Sequence, residues 1–470
     1  MSDQVRARRS GRQADGKNTS RPREEKQVLL NTTVHLVSLG CPKNRVDSEY
    51  LLGLLAERGA RVVEDPAQAR VILINTCGFI RPAVEEAVET IFEMAAYKAA
   101  GSAQVLGVIG CLAERYREDL AKSLPEVDFF WGTGGLDRVP GLIEASAGRR
   151  DAASWPGPGW APEAPGPRLR SAPAHTAYLK IAEGCSNACS YCLIPKLRGR
   201  RKSRPAAVLL AEAAALAAAG VKELILVAQD TTAYGRDLPG RESLARLLAG
   251  LAETKGLEWL RVMYAYPTGL QPELLEVMAS EPKVCPYLDL PLQHASPAVL
   301  KRMRRGGPRD LSVLVRGLRD QVPGLVLRTT MMVGFPGETE ADFRMLLDFA
   351  AQARFERLGV FKFSPEEGSA AAGFPDQVPQ RIKENRRRKL MALQRRVSRE
   401  KNRALVGQIL PVLIEGVHPE TDFLLAGRTR GMAPEIDGRV LINKGEASAG
   451  EIRNVLITGA FDYDLVGEIL

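Results

Sequence analysis

The chain has 470 residues, of which 45% are hydrophobic and 26% are charged, a composition typical of globular proteins that bury sizeable cores without disulfide support. No run approaches the roughly 18 uninterrupted apolar residues of a membrane-spanning helix, and the N-terminus lacks the apolar segment of a secretory signal. We therefore expect a cytoplasmic protein without membrane contact. The formal net charge of +9 is compatible with a nucleic-acid partner. The total charge does not identify a binding surface until the positions of the charged residues are known.

The first elements after the N-terminus predict a parallel sheet. Residues 1–32 are predicted to be a disordered basic tail. Residues 33–150 then alternate short strand-like runs with longer amphipathic runs, which is typical of a parallel α/β sheet. The predicted strands are 34–39, 71–75 and 105–109, and the predicted helices are 46–58, 82–99 and 112–124.

The middle of the chain predicts a second α/β domain. Residues 151–173 contain six prolines and are interpreted as an interdomain linker or an extended insertion. Residues 174–404 contain six βα-like units, which favour an incomplete (β/α)6 TIM-like barrel, although a doubly wound sheet would give a similar pattern. Its predicted strands are 178–183, 223–228, 259–264, 287–292, 326–333 and 357–363, and its helices include 205–219 and 311–321.

The end of the chain divides into a basic helix and an acidic β domain. The predicted helix 380–404 carries eleven Lys and Arg residues against two acids, a net charge of +9. Residues 405–470 carry ten acids and five bases, a net charge of −5, and short β runs at 409–414, 423–426, 440–443 and 455–457 predict a small all-β barrel. Nucleic-acid binding needs positive charge, so this domain is expected either to face a basic protein, with Glu435 and Asp437 at the contact, or simply to be solvated.

The strongest local motif is a group of three cysteines, Cys185, Cys189 and Cys192, which follow a predicted strand with Cys-x3-Cys-x2-Cys spacing. A tetrahedral structural zinc site takes four protein ligands, whereas three thiolates suit a [4Fe–4S] cluster with one open iron. The alternatives are a zinc site completed by a distant residue, or cysteines without a ligand.

Three further cysteines, Cys41, Cys77 and Cys111, each close one of the N-terminal predicted strands. Adjacent parallel strands bring their C-terminal ends to one edge of a sheet, where ligands gather. These thiolates are therefore predicted to hold a second cluster, again with a free iron, although a buried apolar role is the usual one for a single cysteine. Cys285 lacks such a context and is interpreted as structural.

These motifs resemble the radical S-adenosylmethionine (SAM) methylthiotransferase family. The segments SLGCPKNRVDSE, NTCGFI and GCLAERY are similar to its N-terminal domain, LKIAEGCSNACSYCLIPKLRGRRKSR to its radical SAM core, and the last domain to a TRAM domain. The resemblance spans roughly residues 33–470. It implies two [4Fe–4S] clusters, an auxiliary one on Cys41, Cys77 and Cys111 and a SAM-cleaving one on Cys185, Cys189 and Cys192.

Two branches of that family modify different substrates. The motifs SLGCPKN, VAQDTTAYGRD, DLPLQH, VGFPGE, FSPEEG and APEIDG are similar to the branch that methylthiolates the β-carbon of an aspartate in ribosomal protein S12, free or within the small subunit. The acidic terminal domain favours the same branch. The alternative is tRNA adenosine methylthiolation, for which the basic helix is the best support, and a non-enzymatic binding module is a third possibility. The resemblance implies a reductant such as flavodoxin or ferredoxin.

Further SAM contacts are predicted where barrel strands end, because strand C-termini line the active sites of such barrels. The candidates are Gln229, Asp230, Gln293 and Arg328, each of which also has a structural interpretation. A basic run follows the second cysteine group and is interpreted either as neutralising the SAM carboxylate or the target aspartate, or as a solvated loop. Its members are Lys196, Arg198, Arg200, Arg201, Lys202 and Arg204.

Overall fold

The N-terminal part of the chain forms a six-stranded, entirely parallel sheet in the computed structural model, which describes residues 29–146, 152–164, 166–171, 173–308 and 310–470. Residues 1–28 of the predicted basic tail lie outside these ranges. The sheet order is β2-β1-β3-β4-β5-β6. Its elements are β1 (Thr33–Ser38), α1 (Pro42–Glu57), β2 (Arg61–Val62), β3 (Val71–Thr76), α2 (Arg81–Ala99), β4 (Val105–Gly110), α3 (Cys111–Ser123), β5 (Phe129–Trp131), α4 (Val139–Ser146) and β6 (Ala152–Ser154).

Burial explains why these residues form a parallel sheet. Every residue of β3 and β4 is buried, so both faces of the sheet are covered, as continuous apolar strands require. One face packs on α2 and α3 through Ile72, Ile74 and Ile91, and the opposite face packs on α1 and α4. The strands therefore end together at one edge of the sheet.

The central domain is a second parallel sheet, in the order β14-β13-β12-β11-β10-β7. Its strands are β7 (Thr176–Lys180), β10 (Glu223–Val227), β11 (Trp259–Val262), β12 (Val284–Asp289), β13 (Val326–Val333) and β14 (Arg357–Lys362), with a small ribbon of β8 (Ala182–Glu183) and β9 (Lys202–Ser203). The helices are α5 (Ile194–Leu197), α6 (Ala206–Ala218), α7 (Leu244–Ala252), α8 (Pro272–Ser280), α9 (Pro297–Arg302), α10 (Leu311–Gln321), α11 (Glu340–Ala353) and α12 (Gln380–Arg403).

This strand order decides between the two interpretations of the central pattern. The main strands lie side by side in chain order, whereas a doubly wound sheet reverses its order at a switch point. The predicted incomplete (β/α)6 barrel is confirmed.

The N-terminal and central domains also contain short 3-10 helices. They lie at Pro66–Gln68, Leu136–Arg138, Thr231–Ala233, Pro267–Gly269 and Ala370–Gly373.

The terminal residues form a closed five-stranded barrel, which confirms the predicted all-β domain. The strands are β15 (Ile409–His418), β16 (Thr421–Thr429), β17 (Val440–Lys444), β18 (Ile452–Ala460) and β19 (Leu465–Ile469). Sequence analysis missed β19, which closes the barrel by pairing with both β17 and β18. None of the described helices is long and apolar enough to cross a membrane.

Both flanking domains fill the concave face of the central sheet. Val46 and Tyr50 of α1 enter it from the N-terminal domain, and Leu413 and Ala433 enter it from the terminal barrel. Cys285 is buried in the same cluster, in keeping with its structural interpretation. The terminal barrel is also held by an ionic joint at the start of β10, where Arg428 donates to Glu223 at 2.5 Å.

The proline-rich segment lies in the seam between the N-terminal and central domains. Trp160 packs edge-on against Tyr50, with 6.0 Å between ring centroids. Buried Arg168 donates to Glu49 of α1 at 2.7 Å and to Glu212 of α6 at 2.9 Å. We call the described residues 155–171 the strap. Because one guanidinium pairs with carboxylates of both domains, the strap ties them together.

Candidate functional site

The first cysteine set is assembled by the N-terminal sheet. β1, β3 and β4 are neighbours in the sheet, and Cys41, Cys77 and Cys111 follow their respective C-terminal ends. Gly40 has φ of 96°, and a Cβ added to it would lie 2.9 Å from the Cβ of Cys77. Glycine is required there because it permits both the left-handed backbone and the close approach of the two cysteine loops. The structure thus brings these thiols to one edge, as their spacing predicts.

Two cations lie beside this set. Burial alone would raise the pKa of the Cys41 thiol, but Lys43 and Arg198 hold it below its usual value. Burial raises the pKa of Cys111 to about 12, although the guanidinium of Arg198 opposes the rise. Burial likewise raises the pKa of Cys77. Metal binding deprotonates such thiols, and fixed cations offset the negative charge that then develops.

A buried ionic network connects the first set to the central domain. Nε of Arg198 donates to Sγ of Cys111 at 3.2 Å, and its Nη1 donates to Asp47 of α1 at 2.6 Å. Lys180 of β7 donates to Glu183 at 2.6 Å and also to Asp47. Breaking one partner of a buried network of this kind typically costs about 3–5 kcal/mol, because an uncompensated charge remains. The network therefore fixes the position of α1, which follows Cys41, on the central domain.

The second set occupies the loop after β8. The backbone N–H of Asn187 donates to Sγ of Cys185, and that of Ile194 donates to Sγ of Cys192, each at 3.4 Å. Nη1 of Arg305 lies 3.8 Å from Sγ of Cys189. Hydrogen bonds of this kind to thiolate sulfur tune an iron–sulfur cluster. The three thiols thus share one loop with donors already directed at their sulfurs.

The short helix α5 joins the two cysteine sets. It begins two residues after Cys192, and Leu193 and Leu197 pack against Cys111 and Phe79 of the N-terminal domain. Arg198 follows at once and reaches Cys111. Only five residues therefore separate Cys192 of the second set from Arg198, a direct partner of the first. Cys111 of the first set thus packs against the segment that directly follows the second set.

The two cysteine sets were predicted to hold clusters rather than single ions. Within the described ranges, no three His, Cys, Asp or Glu side chains are placed to hold one metal ion. A cubane cluster is larger than an ion and takes thiolates that are further apart. Each set supplies three thiols, one fewer than a fully ligated cluster takes, so a cluster held by either set would have one iron open for an external ligand.

The predicted SAM contact Asp230 reaches the second cysteine loop. Its carboxylate oxygens accept hydrogen bonds from Nδ2 of Asn187 at 2.8 Å and from the hydroxyl of Thr232 at 2.7 Å. Asn187 lies between Cys185 and Cys189. Gln229 precedes Asp230 and is partly buried. The end of β10 therefore lies next to the loop that carries the thiols.

Unusual backbone marks the ends of two further strands. Gln293, beyond β12, has φ of 72°, and Tyr264, beyond β11, has φ of 60°. The backbone of Gln293 is held on both sides, since its N–H donates to Thr330 and its carbonyl accepts from Met332. Non-glycine residues in this region cost of the order of 1–3 kcal/mol each and cluster at active sites. Of the four predicted SAM contacts, Gln293 carries this strain.

Sequence analysis missed a group at the same edge. Lys43 is buried, and its Nζ lies 3.3 Å from the ring centroid of Tyr264. The backbone N–H of Tyr264 donates to Asp289, which also pairs with Arg328 at 2.8 Å. Lys43 thus extends from the N-terminal domain over the end of β11. The sequence feature that could have identified Lys43 is its position two residues after Cys41.

The predicted contact surface of the terminal barrel is wrong for Asp437, whose side chain is buried. Asp437 accepts a hydrogen bond from the hydroxyl of Tyr287 at 2.7 Å and lies 3.7 Å from Nε of Arg328, so it is part of the joint between the barrel and the central sheet. Glu435 pairs with Arg45 of α1 at 2.6 Å. Asp437 therefore cannot face a partner, whereas Glu435 stays exposed beside Arg45. Arg328, predicted to contact SAM, is likewise engaged by Asp289 and Asp437.

The basic run after the second cysteine set is mostly not a solvated loop. Arg198 is buried, and Arg204 is buried against Glu212 at 2.6 Å. Arg201 pairs with Asp237 at 3.1 Å. Lys202 pairs with Glu163, Lys196 donates to the carbonyl of Gly368, and Arg200 is exposed. Arg198 and Arg204 therefore pack the seam between the domains, whereas Lys196, Arg200 and Lys202 are exposed.

Comparison with known proteins gives matches throughout the described chain. The uncharacterized protein family UPF0004 matches residues 33–132, the Radical SAM superfamily matches residues 179–350, and the TRAM domain matches residues 406–470. Among solved structures, the radical SAM methyltransferase TsrM from Kitasatospora setae has a TM-score of 0.54 at 17% identity, covering 70% of this chain and 73% of that one. That likeness confirms the fold alone.

Curated relatives are much closer in sequence. The ribosomal protein uS12 methylthiotransferase RimO of Myxococcus xanthus is 52% identical over 439 residues, covering 93% of this chain and 92% of that protein. The RimO of Anaeromyxobacter sp. (strain K) is 53% identical over 444 residues, covering 94% of both. Because these matches run through nearly the whole chain, the protein belongs to the RimO family of radical SAM methylthiotransferases.

Proposed function

We propose that this chain adds a methylthio group to the β-carbon of an aspartate in ribosomal protein uS12. The observation that carries the proposal is the pairing of two three-cysteine sets across α5, in a chain half identical to RimO proteins. Each set leaves one iron of a cluster open, so one can bind SAM and the other a sulfur ligand. Because uS12 is a cytoplasmic protein, we place the enzyme in the cytoplasm. Modification of tRNA adenosine, the alternative, is not favoured, since the relatives above are named for uS12.

The cysteines are the proposed cofactor ligands. Cys185, Cys189 and Cys192 would hold the cluster that binds SAM, and Cys41, Cys77 and Cys111 would hold the auxiliary cluster. When bound, these cofactors supply radical C–H cleavage, the transferred sulfur and its methyl group. The protein supplies geometry, charge and protection from water. A reductant such as flavodoxin or ferredoxin is proposed as the electron donor.

The remaining residues position these groups. Arg198 and Lys43 would offset the negative charge of the auxiliary thiolates, because both lie close to Cys41. Asp230 orients the SAM-binding loop through Asn187, and we retain Gln229, Asp230, Gln293 and Arg328 as proposed SAM contacts. Of these, Asp230 is the best supported, because only its partner lies between two of the proposed ligands.

The domain roles follow from the same contacts. We propose that residues 33–150 carry the auxiliary cluster, that 174–404 form the radical SAM core with its basic helix, and that 405–470 form the TRAM domain. Residues 151–173 are the proposed linker and include the strap. The seam that the strap closes would keep water from the space between the clusters.

Mass spectrometry of the products tests the proposed function. Anaerobically reconstituted enzyme, SAM and reductant would be incubated separately with uS12 and with tRNA from a strain that lacks the enzyme. We expect the mass of a methylthio group on a uS12 aspartate and none on tRNA. The Cys285→Ala variant is the matched control, since it removes a cysteine outside both sets. Methylthiolated tRNA with unmodified uS12 would refute the proposal, and modification of only the assembled subunit would define the physiological substrate.

A further inference from the structure

One face of α12 carries an exposed row of cations that the proposed chemistry does not use. At 3.6 residues per turn, these side chains fall within an arc of about 120° around the helix. All of them are exposed. The members of this basic face are Arg381, Arg388, Lys389, Arg395, Arg396, Arg399 and Arg403.

Three of the other four cations of α12 pack the helix against the domain, and the fourth, Arg387, is exposed. Lys383 is buried and donates to the carbonyl of Phe363, and Arg386 is buried and donates to Glu338. Lys401 pairs with Glu356, and Arg387 with Glu384. The fold thus separates the inward cations, which have partners, from an outward row. The net charge of the helix is therefore concentrated on one side.

Little in the protein neutralises the basic face. Asp462 of the terminal barrel lies 2.5 Å from Arg399 and 3.7 Å from Arg395. Among the described residues, no carboxylate lies within ion-pair distance of the other members, namely Arg381, Arg388, Lys389, Arg396 and Arg403. The face runs from Arg381 to Arg403, a length of about 33 Å at 1.5 Å per residue. A row of that length and sign is complementary to a run of phosphates.

We propose that the basic face of α12 binds the phosphate backbone of ribosomal RNA, so that the enzyme engages uS12 within an RNA-containing particle. The inference rests on the proposed function, since it names what surrounds the protein substrate. A basic ribosomal protein would be repelled by this face, whereas RNA phosphates are attracted to it and dominate the affinity of nucleic-acid binders. The face carries no base-reading element, so the contact positions the enzyme without reading sequence.

The neighbouring terminal barrel restricts where RNA can bind. The pair between Arg399 and Asp462 ties the end of α12 to the terminal barrel. The acids Glu420, Asp422 and Glu446 of that barrel are exposed and would be repelled by RNA. RNA is therefore confined to the helix, and the acidic side of the barrel is left for the basic protein substrate.

The test compares two charge reversals of equal size. Arg388→Glu/Arg396→Glu alters the basic face, and Arg246→Glu/Arg316→Glu alters exposed arginines of α7 and α10. Binding of the cluster-loaded enzyme to small subunits from a strain lacking it would be measured from 50 to 200 mM salt. Five phosphate contacts predict a slope of about −4.5 for log K against log salt, and roughly 500-fold weaker binding over that range. Reversal on the basic face should reduce the magnitude of the slope by about 2 and weaken binding at least ~10-fold at 100 mM salt.

Free uS12 separates this inference from the proposed function. Methylthiolation of free uS12 should be equal in the wild type and in both reversals, because α12 lies outside the cysteine sets. Equal subunit binding by the two reversals would overturn the RNA contact while leaving the function intact. Methylthiolation of tRNA that is lost in the basic-face variant, with uS12 never modified, would overturn the proposed function instead. The neutral variant Arg388→Gln/Arg396→Gln should also lose about 2 from the slope, which guards against misfolding of the charge reversal.

Discussion

Replacing Arg428 by Met should weaken the attachment of the terminal barrel by about 3 kcal/mol. Arg428 is 2% exposed and donates to Glu223 at 2.5 Å and to Glu415 at 2.6 Å. Glu223 is fully buried and also pairs with Arg261 at 2.7 Å. Without Arg428, Glu223 stays buried with half of its compensating charge. Breaking a buried pair costs about 3–5 kcal/mol, and we expect the lower figure because Arg261 remains.

The pKa of Glu223 reflects both guanidiniums together and gives the pH dependence of the stabilisation. Burial would raise this pKa, but Arg428 and Arg261 lower it to about 2, from a reference value of 4.5. At about 1.4 kcal/mol per unit, the difference corresponds to roughly 3 kcal/mol of stabilisation. Because the pKa is lowered on folding, the stabilisation is complete above pH 4.5 and is lost as the pH falls toward 2. The advantage of the wild type over Arg428→Met should shrink across that interval.

Hydrogen exchange of the β15–β19 amides at neutral pH would measure this loss, since exchange reports local opening free energies. The control is Arg453→Met, which removes the exposed pair with Glu451 at 2.7 Å in the same barrel. Exposed pairs contribute about 0–1 kcal/mol, so this variant should exchange almost as the wild type does. Equal protection losses in the two variants would refute the reasoning. Acid unfolding of the cluster-free chain, compared between wild type and Arg428→Met, would check the pH dependence.

Three further outcomes concern the cofactor sites. Cys189→Ala should abolish formation of 5′-deoxyadenosine and keep about half of the iron, and undiminished formation would contradict its role as a ligand. Cys77→Ala should also lose about half of the iron and all thiomethylation while some SAM cleavage persists, so full iron with normal product would make Cys77 a core residue. Arg198→Gln should lower the reduction potential of the auxiliary cluster, because a cation and a donor to Cys111 are lost, and an unchanged potential by electron paramagnetic resonance titration would exclude that influence.

The arrangement of the cysteines was predictable because it depends on local periodicity. Each of Cys41, Cys77 and Cys111 closes a short apolar strand, and parallel strands end at one edge wherever their order places them side by side. The second set needed only its own spacing. The fold classes followed from the same alternation of strands and helices.

Contacts between domains were not predictable in this way. Lys43 meets Tyr264, and Arg198 meets Asp47, only because two separately folded sheets pack together. A run of basic residues looks solvated until the carboxylates opposite it are known. The prediction that Asp437 contacts a protein partner failed for a related reason. An acidic loop is expected to be exposed unless its packing against Tyr287 is known. The strand β19 was missed because it is short and contains a glycine.

The strap has a consequence for how the enzyme can be divided. Arg168 holds α1 and α6 at once, and Trp160 is inserted beside Tyr50, so the strap adheres to both halves along its course. The covalent link is therefore only one of several bonds across the seam. A chain severed there would still bury the same salt bridges and aromatic contacts, and its pieces would stay paired as a heterodimer. The N-terminal and central domains can in this sense be regarded as two partners that happen to be encoded in one polypeptide.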